Sequence, residues 1–121
     1  MKRVIAAAVY ITDTALLAML LVCIFTDWRL YTAPAALYYK LDCAHCAVVE
    51  GFLAQTPQAP KIVQAEVSRY PRNLISLERR AVACGLDAGD LRVPLLWDGT
   101  GCYVGDKDII NRINEKIAAK K

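Results

Sequence analysis

The sequence predicts an α/β domain behind an apolar N-terminal segment. From Ala36 onward, short apolar and β-branched runs, typical of strands, alternate with longer runs that repeat apolar residues at helical spacing. The turn sequence Asp98-Gly99-Thr100-Gly101 separates two of the short runs, which is typical of a β-hairpin. Together these observations predict the element order βαβαββα for residues 36–121.

The first strand and the first helix meet at a pair of cysteines. Residues 36–41 are rich in aromatic and apolar side chains, which predicts a strand. From Cys43 to about Gln55 the chain predicts a helix, because apolar residues recur at helical spacing: Cys46, Val49, Phe52 and Leu53. Two prolines within residues 56–60 block regular structure and predict a loop.

The next strand and helix are bounded by residues with special backbone preferences. Residues 62–67 are rich in β-branched side chains and predict a second strand. Pro71 suits the first turn of a second helix, and Gly85 suits the position just after its end. The apolar face of this helix is expected at Leu74, Leu77, Ala81 and Val82.

The hairpin and a last helix complete the predicted domain. The hairpin strands are expected at residues 93–97 and 102–104. Asp106 is expected to cap the last helix, because a side-chain oxygen there can accept from the free N–H groups of the first turn. The apolar stripe of this helix is formed by Ile109, Ile110, Ile113 and Ile117.

The N-terminal segment predicts a membrane anchor. Residues 4–25 carry one charged side chain, that of Asp13, and about 20 apolar residues suffice to cross a bilayer as a helix. Lys2 and Arg3 precede the segment, so the N-terminus is expected in the cytoplasm and the rest of the chain in the periplasm or another extracytoplasmic space. The expected organisation is a single-pass signal anchor in the inner or plasma membrane (1–26), a tether (27–35) and the α/β domain (36–121).

Two alternatives concern this segment. A cleaved signal peptide would use Ala33-Pro34-Ala35 as its cleavage site, but these residues lie far beyond the apolar core, so an uncleaved anchor is favoured. A carboxylate near mid-membrane costs roughly 2.5–3.5 kcal/mol on insertion scales, so Asp13 is either tolerated or contacts a membrane partner together with Thr12 and Thr14. Whether the segment is an anchor or a cleaved signal peptide, the α/β domain is expected in an oxidising compartment, where disulfides persist.

The charge of the chain argues against nucleic-acid binding, and its expected surface argues against oligomerisation. The chain has 121 residues and a formal net charge of +3, and its basic residues form no stripe with interleaved aromatics. Nucleic-acid binding is therefore not expected. Beyond the N-terminal segment the sequence indicates no long exposed apolar strand or helix face, so a monomer is expected.

Cys43-Ala44-His45-Cys46 carries the predicted chemistry. Two cysteines at this spacing can close a small disulfide ring, and Cys43 would face the unsatisfied N–H groups of a helix start, which favour thiolate over thiol. Thiolate is the form that attacks disulfides. A protonated His45 would favour it further and make the disulfide more oxidising, whereas the charge of Asp42 opposes it. The alternative is an exposed His45 with a small effect.

From Ala36 to its end, the chain resembles glutaredoxins and other small thioredoxin-fold proteins. Three features carry the resemblance: the cysteine pair after the first strand, Val93-Pro94 at the start of the third, and Gly105-Asp106-x-Asp108 before the last helix. The resemblance implies a four-stranded mixed sheet with flanking helices. It also implies thiol–disulfide exchange as the activity.

The resemblance further implies roles for individual residues. Cys43 would be the exposed nucleophile, and Cys46 the buried thiol that resolves the mixed disulfide. Pro94 would be cis and would place the backbone of Val93 beside the cysteines, where it can hydrogen-bond a substrate. His45 has the position of the histidine in the Cys-Pro-His-Cys centre of periplasmic oxidants, which implies a catalytic role.

Glutathione is a candidate co-substrate, and no cofactor is implied. Gly105 and Asp106 correspond to the glycine-then-acid turn of glutaredoxins and are candidate substrate-binding residues. The chain departs from the family at three positions, one of which is Asp42 directly before the cysteine pair. Ala44 stands where the family often has proline, and Lys107 interrupts the paired acids that recognise the amino end of glutathione.

The predicted function is that of a membrane-anchored thiol–disulfide oxidoreductase that acts on cysteines of exported proteins, with a membrane redox partner. The alternative is a zinc- or copper-binding module that uses Cys43 and Cys46 with His45 or Cys102. Redox chemistry is favoured, because zinc sites usually need four ligands and the sequence has no second C-x-x-C or C-x-x-H.

The other cysteines have no catalytic role in this prediction. Cys23 lies in the apolar segment and is expected to be a small apolar side chain. Cys84 and Cys102 either form a structural or regulatory bridge or stay inert buried thiols, and the inert thiols are favoured.

Overall fold

The computed structural model describes residues 1, 13–25, 28, 32–33 and 35–121. The chain divides into two compact units, Met1–Thr32 and Ala33–Lys121. In the first unit residues 13–25 are helical, and no helix among the described residues is both long and apolar enough to span a bilayer. Residues 2–12, 26–27, 29–31 and 34 lie outside the description. The predicted anchor (1–26), its basic flank and the tether (27–35) include these residues and stay predictions.

The second unit has the predicted order of strands and helices. Its elements are β1 (Ala36–Tyr39), α1 (Ala44–Gln55), β2 (Val63–Glu66), α2 (Pro71–Ala83), β3 (Leu95–Trp97), β4 (Cys102–Val104) and α3 (Asp106–Ala119). Three strands are shorter than the sequence predicts. β3 begins at Leu95 rather than Val93, since the intervening proline has no N–H to donate to a strand ladder.

The strands form one mixed sheet in the order β2-β1-β3-β4, which confirms the four-stranded mixed sheet. β1 pairs in parallel with β2 and antiparallel with β3, and β3 pairs antiparallel with β4. Tyr38 near the end of β1 lies opposite Leu95 at the start of β3. The loop that follows β1 and the loop that precedes β3 therefore lie at the same edge of the sheet.

Side chains on the two faces of the sheet form the core. On one face Leu37 and Leu96 pack with residues of α1 and α3: Val49, Ile109 and Ile113. On the other face Tyr38 donates to or accepts from Ser76 of α2 at 2.8 Å. The predicted apolar face of α2 is only partly correct.

Two residues of that predicted face are exposed and not buried. Leu77 and Ala81 are buried, whereas Leu74 is 38% exposed and Val82 59% exposed. Residues 77 and 81 are four apart and share one side of the helix, but residue 82 is rotated away from that side. The buried stripe of α2 is therefore narrower than the sequence pattern indicates.

The helix ends follow from local backbone preferences, with one correction. Pro71 occupies the first turn of α2, and Gly85 follows its C-cap with a φ of 76°, in the region that glycine tolerates. Asp106 does not cap α3, because Gly105 is the N-cap, with a φ of 91°. Asp106 instead lies in the first turn with Asp108, where carboxylates interact favourably with the helix dipole.

A buried carboxylate attaches the β3–β4 hairpin to α3. The Oδ1 atom of Asp98 accepts from the N–H of Thr100 at 2.9 Å, from its hydroxyl at 2.8 Å and from the N–H of Gly101 at 2.9 Å. Its Oδ2 atom lies 2.6 Å from Arg112 Nε and 3.3 Å from Lys116 Nζ. Burial alone would raise the pKa of Asp98, but these partners outweigh it and hold the pKa well below its ordinary value.

A second disulfide joins Cys84, just after α2, to Cys102 of β4, with the Cα atoms 6.0 Å apart. The prediction of inert thiols at these two positions is wrong. The two residues are far apart along the chain and meet only because α2 packs across the sheet towards the edge strand. The disulfide therefore attaches α2 covalently to that edge.

Removing the Cys84–Cys102 disulfide is expected to lower stability by about 2–4 kcal/mol, the range typical of a disulfide that closes a loop of this length. The double variant Cys84→Ser/Cys102→Ser, compared with the wild type in urea unfolding of the full chain in detergent, measures this loss. Cys23→Ser is the control, since Cys23 takes part in neither the Cys43–Cys46 nor the Cys84–Cys102 disulfide. A double variant as stable as the wild type would contradict the structural role.

Candidate active site

Cys43 and Cys46 form a disulfide at the start of α1, with their Cα atoms 5.2 Å apart. Cys43 is the N-cap residue of α1 and has extended backbone angles. Its Sγ atom accepts a hydrogen bond from the N–H of Cys46 at 3.2 Å, the bond that a serine or aspartate cap usually accepts. The sulfur of Cys43 therefore lies at the positive end of the helix.

The two sulfurs differ in their exposure. Cys46 is completely buried, whereas Cys43 is partly exposed. The difference follows from the helix: Cys46 and Val49 are three residues apart on one side, and Val49 packs in the core. Cys43 precedes the helix, in a turn that follows β1. An incoming disulfide can therefore reach Cys43 but not Cys46.

The loop before β3 brings a proline to the same place. The Val93–Pro94 peptide bond is cis, and Pro94 is buried. The carbonyl oxygen of Val93 lies 3.8 Å from Cys43 Sγ. The carbonyl of Pro94 accepts from the N–H of Gly105 at 2.9 Å, which joins this loop to the start of α3.

His45 reaches across to the first residue of α3. Its Nδ1 atom lies 3.4 Å from Asp106 Oδ1, with the histidine side chain 73% exposed and the aspartate side chain 23% exposed. The hydrogen bond with His45 lowers the pKa of the Asp106 carboxyl and outweighs the effect of burial, and backbone N–H groups lower it further. Asp106 is therefore a carboxylate at neutral pH.

The structure brings all predicted site residues to one edge of the sheet. Three contacts connect them: Cys43 with Val93, Pro94 with Gly105, and Asp106 with His45. Cys46 is bonded to Cys43 and is buried in the core. The catalytic and binding roles assigned to these residues stay predictions. The contact between His45 and Asp106 was not predicted, because nothing in the sequence relates two residues so far apart.

Sequence reasoning also missed two apolar neighbours of the cysteine pair. Leu41 is 56% exposed and Val48 is 50% exposed. Leu41 lies two residues before Cys43, and Val48 lies two residues after Cys46 on the exposed side of α1. Their positions next to the motif were the available signal, but an apolar residue beside a strand or inside a helix is normally assigned to the core.

The donors required by the alternative metal site are not assembled. Among the residues that the structure describes, no group of three or more His, Cys, Asp or Glu side chains is arranged to hold a metal ion. Cys102 is bonded to Cys84 and is therefore not a free thiolate ligand. The predicted zinc or copper module has no further support.

Similar proteins are found among solved structures only. No family model matches the chain, and no curated protein matches it. It is similar to the crystal structure of the holo form of glutaredoxin C1 from Populus tremula x tremuloides, with a TM-score of 0.53 and 16% identity over 78% of this chain and 87% of that chain. It is also similar to buckwheat glutaredoxin in its glutathione complex, with a TM-score of 0.53 and 13% identity over 78% of this chain and 81% of that chain. The chain therefore has a glutaredoxin-like thioredoxin fold with a Cys43-x-x-Cys46 pair.

Proposed function

We propose that this protein is a thiol–disulfide oxidoreductase that exchanges disulfides through Cys43 and Cys46. The observation that carries the proposal is the asymmetry of the pair, in which a partly exposed cysteine at a helix start is bonded to a fully buried one. Only an exposed sulfur can be attacked by, or attack, a bulky substrate. The buried partner is held where it can break the resulting mixed disulfide.

The exchange proceeds in two balanced steps. In the reduced protein the Cys43 thiolate attacks a substrate disulfide, forms a mixed disulfide and releases one substrate thiolate. The Cys46 thiolate then attacks Cys43 Sγ, closes the protein disulfide and releases the second substrate thiolate. Two electrons pass from the protein to the substrate, and the reverse sequence oxidises a substrate dithiol.

The environment of Cys43 favours the reactive thiolate. The N–H of Cys46 is directed at Cys43 Sγ at 3.2 Å, and the start of α1 contributes the positive end of its dipole. Cysteines in such positions have pKa values from about 7 down to about 3.5. On reduction, this environment stabilises the thiolate form of Cys43 relative to the thiol.

The substrates that we propose are cysteines of exported proteins. The Cys84–Cys102 disulfide lies outside the redox pair and supports an oxidising compartment, because disulfides without a redox role are rare in the cytosol. This support is independent of the N-terminal segment. A membrane anchor at residues 1–26, a membrane redox partner and a monomeric state belong to the same proposal.

Glutathione is proposed as a co-substrate on the basis of one similar structure and the position of two residues. One structure with this fold is a glutaredoxin–glutathione complex, and Gly105 and Asp106 lie beside the cysteine pair. Asp106 is in contact with His45, so an ammonium group of a ligand must compete with the imidazole for the carboxylate. Disulfide exchange with protein cysteines does not require this ligand.

Redox titration of the full chain in detergent tests the proposed function. Across glutathione buffers, with each thiol state read by mass spectrometry, Cys43 and Cys46 are expected to change together as one reversible couple. A potential near about −120 mV would make the protein a disulfide donor, and one near about −270 mV a reductant.

The second disulfide is the internal control of the titration. Structural disulfides typically have potentials below about −300 mV, so Cys84–Cys102 is expected to stay oxidised across these buffers. The proposed function is wrong if Cys43–Cys46 shows no reversible couple, or if it is as resistant to reduction as Cys84–Cys102.

A further inference from the structure

The contact between His45 and Asp106 lies at the entrance to Cys43, but the exchange steps do not use it. The side chains meet at 3.4 Å, and the imidazole is 73% exposed. The imidazole Nδ1 atom faces one carboxylate oxygen. A protonated imidazole cancels the negative charge of Asp106, and a neutral imidazole N–H still occupies the same oxygen.

Backbone contacts connect Asp106 to the loop that lies beside the reacting sulfur. The carbonyl of Val93 lies 3.8 Å from Cys43 Sγ, and the carbonyl of the next residue, Pro94, accepts from Gly105, which directly precedes Asp106. An unpaired carboxylate at this position would attract a positively charged group on a substrate bound at Cys43. The contact with His45 weakens that attraction, because a protonated imidazole cancels the charge and a neutral imidazole N–H occupies one carboxylate oxygen.

The other charges near the entrance are exposed and balanced. Lys40 and Asp42 precede the cysteine pair, and Lys107 and Asp108 follow Asp106 in the first turn of α3. These two positive and two negative side chains cancel, and Arg92, which precedes Val93, is paired with Asp90 at 2.9 Å. The state of Asp106 therefore decides whether the entrance attracts cations.

We propose that His45 determines substrate specificity by holding Asp106, so that the site does not favour disulfides with a positive charge beside the reacting sulfur. Disulfides in neutral polypeptide segments then react as readily as small cationic disulfides. The inference rests on the proposed function, since it requires Cys43 to attack disulfides. The inference adds a substrate class to that function: cationic disulfides, which the site does not prefer over neutral ones.

Three small disulfides of different charge test this specificity in the full chain carrying Cys46→Ser. The probes are cystamine (cationic), hydroxyethyl disulfide (neutral) and dithiodipropionate (anionic). The Cys43 thiolate forms a disulfide with one half of the probe, the bond within the probe breaks, and the other half leaves as a thiolate. Without Cys46 the adduct persists, and peptide mass spectrometry gives its rate of formation at Cys43.

The ratio of the cystamine rate to the hydroxyethyl disulfide rate isolates the charge effect, because a change in the reactivity of Cys43 alters both rates alike. Adding His45→Gln is expected to raise this ratio about threefold at low salt, within the range of exposed ion pairs. His45→Gln is also expected to lower the rate of the anionic probe relative to that of hydroxyethyl disulfide. High salt should remove most of the difference.

Adding Asp106→Asn to the His45→Gln variant is expected to return the ratio of the cystamine rate to the hydroxyethyl disulfide rate to its value in the Cys46→Ser chain. Asp87→Asn, which removes a carboxylate from an exposed loop, is the control and should leave the ratio unchanged. The inference is overturned if the ratio is unchanged in His45→Gln, or if the ratio stays raised after Asp106→Asn is added. In both cases adducts at Cys43 still form, so the proposed function is not affected. Absence of an adduct with all three probes overturns the proposed function as well.

Discussion

Cys43→Ser is expected to abolish disulfide exchange, whereas Cys46→Ser keeps the first attack and accumulates a mixed disulfide. The difference follows from the two environments, since Cys43 is partly exposed and accepts the N–H of the helix start, while Cys46 is fully buried. A serine hydroxyl at position 43 is not ionised at neutral pH and cannot form a disulfide. The loss should therefore be complete rather than partial.

Insulin reduction with dithiothreitol as the electron source measures the turnover. The trapped adduct is identified by mass spectrometry after reduced Cys46→Ser, freed of dithiothreitol, has reacted with insulin. The control is Cys84→Ser/Cys102→Ser, which lacks the second disulfide and should retain exchange at a temperature where it is folded. Exchange that survives in Cys43→Ser, or an adduct found on a cysteine other than Cys43 in Cys46→Ser, would contradict the assignment of the nucleophile.

Asp98→Asn is expected to lower the free energy of unfolding by about 2–4 kcal/mol. The wild-type carboxylate is buried, accepts from Thr100, Gly101 and Arg112, and forms an ion pair with Lys116. An amide cannot balance the two cations. Arg112 and Lys116 retain some access to water, with side-chain exposures of 26% and 31%, which limits the loss. Urea unfolding of the full chain in detergent measures the difference.

An exposed ion pair provides the matched control. Arg92 lies 2.9 Å from Asp90, but their side chains are 72% and 67% exposed, so Asp90→Asn is expected to change stability by less than about 1 kcal/mol. Asp98→Asn and Asp90→Asn remove the same charge. Equal effects in both would mean that the buried network contributes no more than a surface pair.

The stability that Asp98 provides depends on pH in a defined direction. Its pKa is lowered by folding, so the contribution is fully present above the ordinary value of 3.8 and is lost as the pH falls below that value towards the folded pKa. The stability gap between wild type and Asp98→Asn should therefore shrink on acidification. A gap that is constant from neutral pH to below 3 would contradict this explanation.

The order of the elements could be predicted because local patterns determine it. Apolar spacing marks the helices, Pro71 and Gly85 bound one of them, and Asp98-Gly99-Thr100-Gly101 marks the hairpin. Element ends were less accurate where two local rules compete. Aspartate favours an N-cap, but the chain needs a positive φ before α3, and glycine adopts this conformation with less strain.

The candidate site was predictable as a set of residues but not as a set of contacts. The cysteine pair and Val93-Pro94 are short local motifs, and both occupy the same edge of the sheet. The pairings of His45 with Asp106 and of Cys84 with Cys102 join distant parts of the chain. Such pairings depend on how α2 and α3 pack, which no local pattern encodes.

The short outer strands of the sheet bear on how this protein resists aggregation. β2 has four residues and β4 has three, and the Cys84–Cys102 bond fastens β4 to the body of the fold. Long unpaired edges offer foreign chains a template for strand addition, and short, tethered edges do not. Under the proposed function the substrates include incompletely folded chains, and this protection would then be an advantage. We expect the protein to contact them through the surface around Cys43 and not to be drawn into their aggregates.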